Sequence, residues 1–145
     1  MPLTADELAA LLKARLPAHL PLEIPPQCML DMQAEPLEYE DGKRLSIRFP
    51  VLPRYRNPMG NMQGGFIVAA LDNTLGPFSY LIAPPSVTAQ LNVSYLRPVL
   101  PTETAITCTA WLTARTGKTL YLGAEVVGSD GRTVALCQSV CQLVG

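Results

Sequence analysis

Histidine is almost missing from this chain: its 145 residues hold one, His19, in a proline-rich stretch. A Ser-His-Asp or Cys-His hydrolase would have to use that residue as its base, and no nucleophile motif lies near it. Charge is scarce as well. Only 16% of residues are charged and the formal net charge is −1, so nothing basic is in excess to neutralise a phosphate backbone, which argues against nucleic acid as a partner. The four cysteines, Cys28, Cys108, Cys137 and Cys141, form no Cys-x-x-Cys pair. No metal is expected, and they read as reduced core thiols of a cytoplasmic protein. No uninterrupted apolar run reaches the ~18 residues of a membrane span. The start, Met1-Pro-Leu-Thr-Ala-Asp-Glu, lacks the basic head and apolar middle of a secretion signal. The expectation is a cytoplasmic location with no membrane partner.

Apolar residues are abundant. At 48% of a chain this short, they imply one domain with a real core and further surface hidden between subunits. Thr4-Ala-Asp-Glu reads as a helix cap, followed by Leu8, Leu11, Leu12 and Leu16 at helical spacing. A proline-rich connector runs from Pro17 to Pro26. A first strand is expected from Cys28 to about Tyr39, and Asp41-Gly42 turns it into a second through Leu45, Ile47 and Phe49. A loop from Pro50 to Met62 leads to an apolar helix over Gly64–Ile82, which Pro84-Pro85 ends. Pro77 predicts a kink or early break near Gly76. Beyond it, Val87 to Tyr95, Ile106 to Thr113, Leu120 to Val126 and Thr133 to Val144 alternate as strands. The last three are joined by tight turns and must be antiparallel. One long apolar helix and a meander of long strands bury each other if the sheet wraps the helix. The polar row Thr88, Gln90, Asn92 and Ser94 is then expected to point away from the helix.

The chemistry concentrates in Asn57-Pro-Met-Gly-Asn-Met-Gln63-Gly64-Gly65 and the helix behind it, Phe66-Ile-Val-Ala-Ala-Leu-Asp72-Asn73. Free backbone N–H groups at a helix start can hold a developing oxyanion. Asp72, among Ala69, Leu71 and Leu75, is expected to be a desolvated carboxylate, a costly residue that catalysis would explain. Gly64 and Asp72 are eight residues apart, a rise of ~12 Å. One carbonyl cannot touch both within one helix. Two antiparallel copies of the helix about a two-fold axis would bring Gly64 of one chain to Asp72 of the other.

The spacing of Asn57, Gln63-Gly64-Gly65 and Asp72, the strand Leu91-Asn92-Val93-Ser94-Tyr95-Leu96-Arg97-Pro98 and the hairpin Ala114-Arg115-Thr116-Gly117-Lys118-Thr119 resemble the hotdog-fold acyl-CoA thioesterases of the phenylacetyl/4-hydroxybenzoyl type. The likeness covers about Leu45 to Leu143. Gln63 stands where most members have the His of His-Gly-Gly. It can donate a hydrogen bond but cannot carry a proton at neutral pH.

The resemblance implies an α+β hotdog fold, an antiparallel sheet around a long central helix, over residues 28–145. The N-terminal helix and connector, residues 1–27, are an accessory element. It implies hydrolysis of an acyl-CoA to free acid and coenzyme A in a homodimer, or a homotetramer built as a dimer of dimers. No cofactor is called for, since coenzyme A is part of the substrate. The implied catalytic set is Asp72 as general base or nucleophile, the Gly64 N–H as oxyanion donor, and Asn57, Gln63 and Thr88 as positioning groups. Gly65, Phe66, Asn73, Arg97 and Lys118 are the implied substrate-binding set; Arg54, Arg56 and Arg115 could also meet phosphates. Phe66, Phe78 and Tyr80 are candidates to shape the acyl pocket, and Trp111 to line an interface. The alternative is a non-catalytic acyl-thioester binding protein weakened by loss of the His. A hotdog dehydratase fits less well, because it uses a His with an Asp and His19 lies outside the helix.

Overall fold

Thr4 starts the first helix, α1 (Ala5–Arg15). Its hydroxyl accepts the Glu7 N–H at 3.2 Å, and the Glu7 carboxylate accepts the Thr4 N–H at 3.3 Å. Such a reciprocal cap contributes about 1 kcal/mol. Leu8 and Leu12 are buried, as their spacing predicts. The computed structural model describes residues 1–144.

The strand expected from Cys28 to Tyr39 is instead two elements, a short helix α2 (Gln27–Asp31) and a strand β1 (Glu35–Glu40). Pro26, in extended backbone, caps α2. A proline just ahead of the first turn loses no helix hydrogen bond, and Gln33, with φ at 54°, redirects the chain into β1.

The other strands are β2 (Arg44–Pro50), β3 (Ser86–Tyr95), β4 (Ala105–Thr116), β5 (Thr119–Val127) and β6 (Thr133–Leu143). They form one antiparallel sheet in the order β1-β2-β4-β5-β6-β3. The expected meander β4-β5-β6 is present, and β3 returns to the outer edge of β6. Leu45, Ile47, Phe49, Ile106 and Leu120 face inward and are fully buried.

The central helix α3 (Gly64–Ile82) lies against this inner face, with Leu71, Leu75 and Phe78 fully buried. Gln63 precedes it in extended backbone, and Ala83 ends it ahead of Pro84-Pro85. Of the kink or early break expected near Gly76, the break does not occur: the helix is continuous through Gly76 and Pro77. An interior proline costs about 3 kcal/mol and an interior glycine up to about 1 kcal/mol, which the burial of the Pro77 ring helps to offset. Among the described residues α3 is the one helix long and apolar enough, by length and composition, to cross a membrane, against the expectation from apolar runs. Here half of its most apolar stretch is buried inside the protein.

A bulge in β3 corrects the expected polar row. Thr88 pairs with Cys141, but Gln90 pairs with Val140, so Ala89 is an extra residue. The face alternation slips there. Gln90, Asn92 and Ser94 keep the outer face, whereas Thr88 turns inward toward α3.

Candidate active site

Two groups of candidate residues lie along α3. The first is at its N-terminus. Asn57 builds the loop before it: its side-chain oxygen accepts the N–H of Met59 at 2.9 Å and of Asn61 at 3.1 Å. Its own N–H donates to the Asn61 carbonyl at 2.7 Å. Gln63 is pinned by its backbone N–H on the Tyr55 carbonyl, at 2.7 Å, while its side chain is exposed and caps nothing. The Gly64 and Gly65 N–H groups are therefore first-turn donors with no acceptor among the described residues.

Tyr95 covers the other side of Gly64. Its hydroxyl donates to the Gly64 carbonyl at 2.9 Å, and a Cβ on Gly64 would stand 2.9 Å from that hydroxyl. The glycine thus admits a ring that any side chain would push away. Tyr95 is a site residue that sequence reasoning left without a role, although it sits in the strand pattern that carried the resemblance. Asn57, Gly64, Tyr95 and Arg97 line an open pocket of about 420 Å³.

The second group is two turns further along. Asp72, Asn73 and Thr88 line a cavity of about 480 Å³ between α3 and the N-terminal segment. The bulge in β3 brings the Thr88 hydroxyl to 3.4 Å from a carboxylate oxygen of Asp72, to which it donates. The expectation that Asp72 is desolvated by its neighbours is corrected: Leu71 and Leu75 are fully buried, but Asp72 itself is exposed in the single chain. It is near enough to the sheet for its charge to add to the burial that pushes the Cys137 thiol up to about 11.

The expected substrate-binding set divides. Asn73 lines the cavity, but its carboxamide is engaged: the Cys28 thiol donates to its oxygen at 3.3 Å and its nitrogen points at the Met32 sulfur at 3.5 Å. Phe66 stacks on Tyr55, ring centres 4.4 Å apart, rather than facing either cavity. Phe78 is core, and Tyr80 alone of the three candidate aromatics lines the larger cavity. Gly65 is exposed beside Gly64, and Lys118 is exposed on the β4–β5 hairpin. Trp111 lies against Gly123, its partner across β5.

Arg97 is spent on structure rather than free for a phosphate. It forks onto Glu103 with two bonds of 3.0 Å and reaches Asp130 at 2.8 Å and the Pro98 carbonyl at 3.0 Å. Its Nε is buried without a partner. The Arg97 hydrogen bond holds the Glu103 carboxyl below the usual range, and Glu103 raises Arg97 in return. The Arg132 backbone N–H and side chain draw Asp130 down to about 2. This triad clamps the end of β3 to the β5–β6 turn. Among the described residues no group of three or more His, Cys, Asp and Glu side chains is placed to hold a metal.

The family model of the thioesterase superfamily matches residues 59–135, more than half of the chain. The chain belongs to that superfamily. No curated protein matches it in sequence. Solved structures with the same fold include a phenylacetic acid degradation-related protein of Ralstonia eutropha JMP134 (TM-score 0.77, 21% identity, covering 94% of this chain and 98% of that one). The E. coli PaaI protein of the phenylacetic acid degradation operon matches with TM-score 0.74 and 18% identity over 80% of this chain and 87% of its own. The smu.793 protein of Streptococcus mutans UA159, solved bound to acetyl CoA, matches with TM-score 0.73 and 18% identity over 88% of this chain and 97% of its own. The fold is the hotdog fold of PaaI-type thioesterases, as the motifs imply.

Proposed function

We propose that this chain hydrolyses acyl-CoA thioesters at two equivalent sites of a homodimer, each built from the Gly64 end of one α3 and the Asp72 region of its partner. The observation that carries the reading is the split itself. The free Gly64 N–H and the exposed Asp72–Thr88 pair open into different pockets of one chain, and a two-fold axis between antiparallel helices joins them. Membership of the thioesterase superfamily and the acetyl CoA held by the structurally similar S. mutans protein support the substrate class.

In this scheme the thioester carbonyl oxygen sits on the Gly64 N–H, favoured by the helix N-terminus. The Gln63 carboxamide donates to the same oxygen in place of an imidazole, and the Asn57 carboxamide nitrogen helps orient the water. Asp72 of the partner takes a proton from that water, which Thr88 helps to hold, and the water oxygen bonds to the carbonyl carbon. The oxyanion collapses, the carbon–sulfur bond breaks, and the proton on Asp72 passes to the leaving thiolate. The products are a free acid and coenzyme A. No cofactor enters. With Arg97 engaged, Lys118 stays a candidate for a coenzyme A phosphate, alongside Arg54, Arg56 and Arg115, all of them exposed. Exposed Tyr121 and Leu136 on the outer sheet face offer a surface for two dimers to join. We place the protein in the cytoplasm, on its reduced thiols.

The test is thiol release from a panel of acyl-CoAs. Wild type should turn over at least one of them far faster than Asp72→Asn. Binding without turnover in both proteins would favour the acyl-thioester binding alternative.

A further inference from the structure

We propose that the N-terminal segment and the middle of α3 form the acyl pocket, that Gly76 sets its depth, and that it takes uncharged, apolar acyl groups of medium length. This rests on the thioesterase reading above and goes beyond it in naming the acyl class and the residue that selects it.

The cavity of about 480 Å³ that holds Asp72 and Thr88 runs from them beneath Leu16, Leu22, Ile24 and Met29. Its volume is within the ~300–1,000 Å³ of small-molecule sites. An acyl chain whose carbonyl lies at Asp72 would extend into it. The covering residues lie outside the 59–135 matched by the family model. Gly76 forms part of the opposite wall, and nothing lies within 4 Å of the place its Cβ would occupy. Glycine is a weak choice for a helix interior, and here its effect is to leave room. The charged residues on the lining are Glu23 and Asp72, with no Lys or Arg among them. An acyl group ending in a carboxylate would meet like charge without a partner. Each methylene buried there strengthens binding about fourfold.

The experiment measures kcat/KM for acetyl-, hexanoyl- and succinyl-CoA with wild type, Gly76→Ala and Gly76→Leu, each checked for folding by circular dichroism. Wild type should favour hexanoyl over acetyl by about tenfold or more and discriminate against succinyl. The hexanoyl-to-acetyl ratio should fall in steps through Ala to Leu, about tenfold overall. An unchanged ratio in a folded Gly76→Leu, or succinyl accepted as readily as hexanoyl, overturns the proposal. Should Leu prevent folding, the Gly76→Ala step decides in the same way. Calorimetry with the non-hydrolysable hexyl thioether of coenzyme A separates the two readings. If wild type hydrolyses nothing yet binds the thioether more tightly than coenzyme A, and Gly76→Leu removes that gain, the pocket stands and the hydrolase reading falls. If the hexyl chain adds no affinity, the pocket proposal falls.

Discussion

Thr88 and Asp72 are 16 residues apart in the chain, and the hydroxyl of one lies 3.4 Å from the carboxylate of the other. The contact exists because β3 carries one extra residue between Thr88 and Gln90. Without the bulge, Thr88 would keep the outer face with Gln90, and Asp72 would lack this neighbour.

Asp72→Asn keeps the shape and removes the proposed base. We expect kcat to fall by about 10²–10⁴-fold. Because Asp72 is exposed, the melting temperature should hardly move. Thr88→Val should cost about tenfold, the share of one hydrogen bond. Steady-state thiol release and a thermal melt check both. Equal loss of activity and stability would mean that Asp72 is structural.

Gly64 is the first residue of α3, and Gln63 before it has φ −64° and ψ 139°. That backbone suits a following proline, and proline is favoured at the first helical position. Gly64→Pro therefore deletes the proposed oxyanion donor with little harm to the helix, provided the Tyr95 ring swings aside. We expect kcat to drop about 10²–10³-fold. Gly65→Ala meets nothing within 4 Å and should keep its stability. Gly64→Ala keeps the N–H but also crowds Tyr95, so if the N–H rather than the glycine's size matters, it should lose far less kcat than Gly64→Pro.

Much of this was legible in the chain. The bounds of α3 follow from the polar loop before Gly64 and the prolines after Ile82. The meander follows from strict alternation and Gly-containing turns. Five features were not legible, each for a physical reason. The bulge in β3 leaves no mark in a stretch whose polar residues alternate without a break. The α2 helix is five residues long, too short for a helical period. The continuity of α3 through Gly76-Pro77 depends on the burial of Pro77, a tertiary effect that local propensity opposes. Nothing local to Leu16, Leu22 or Ile24 ties them to Asp72; only the folded N-terminal segment does. The ion pairs of Arg97 leave no mark in the sequence, because Glu103 and Asp130 arrive from two separate turns.

Glu103 carries a pH dependence. Its folded pKa is lowered, first by the Arg97 hydrogen bond, so its contribution is fully present above the unfolded value of ~4.3. It is lost as pH falls through the folded value. Its side chain and that of Arg97 are 10% and 17% exposed, and breaking a pair buried to that degree costs about 3 kcal/mol. Glu103→Gln should therefore destabilise at neutral pH, with a gap that narrows below about pH 4 as wild-type Glu103 is protonated. Urea unfolding at several pH values reads this out. A gap that does not vary with pH would remove the ion pair from the account.

Single turnover in heavy-oxygen water separates the two routes open to Asp72. General-base attack places the solvent oxygen in the product acid. An anhydride route deposits it on the enzyme whenever water attacks the Asp72 carbonyl. We expect label in the acid and none on the Asp72 peptide by mass spectrometry; label on that peptide would make Asp72 the nucleophile.

The sharing of each site between two subunits is tested most directly by mixing Asp72→Asn with Gly64→Pro, each inactive alone. Unfolded together and refolded, the two should form mixed dimers in which one site regains both intact halves and the other loses both. About a quarter of wild-type activity should return if subunits pair at random. A refolded mixture that is dimeric but no more active than its two components would contradict the account.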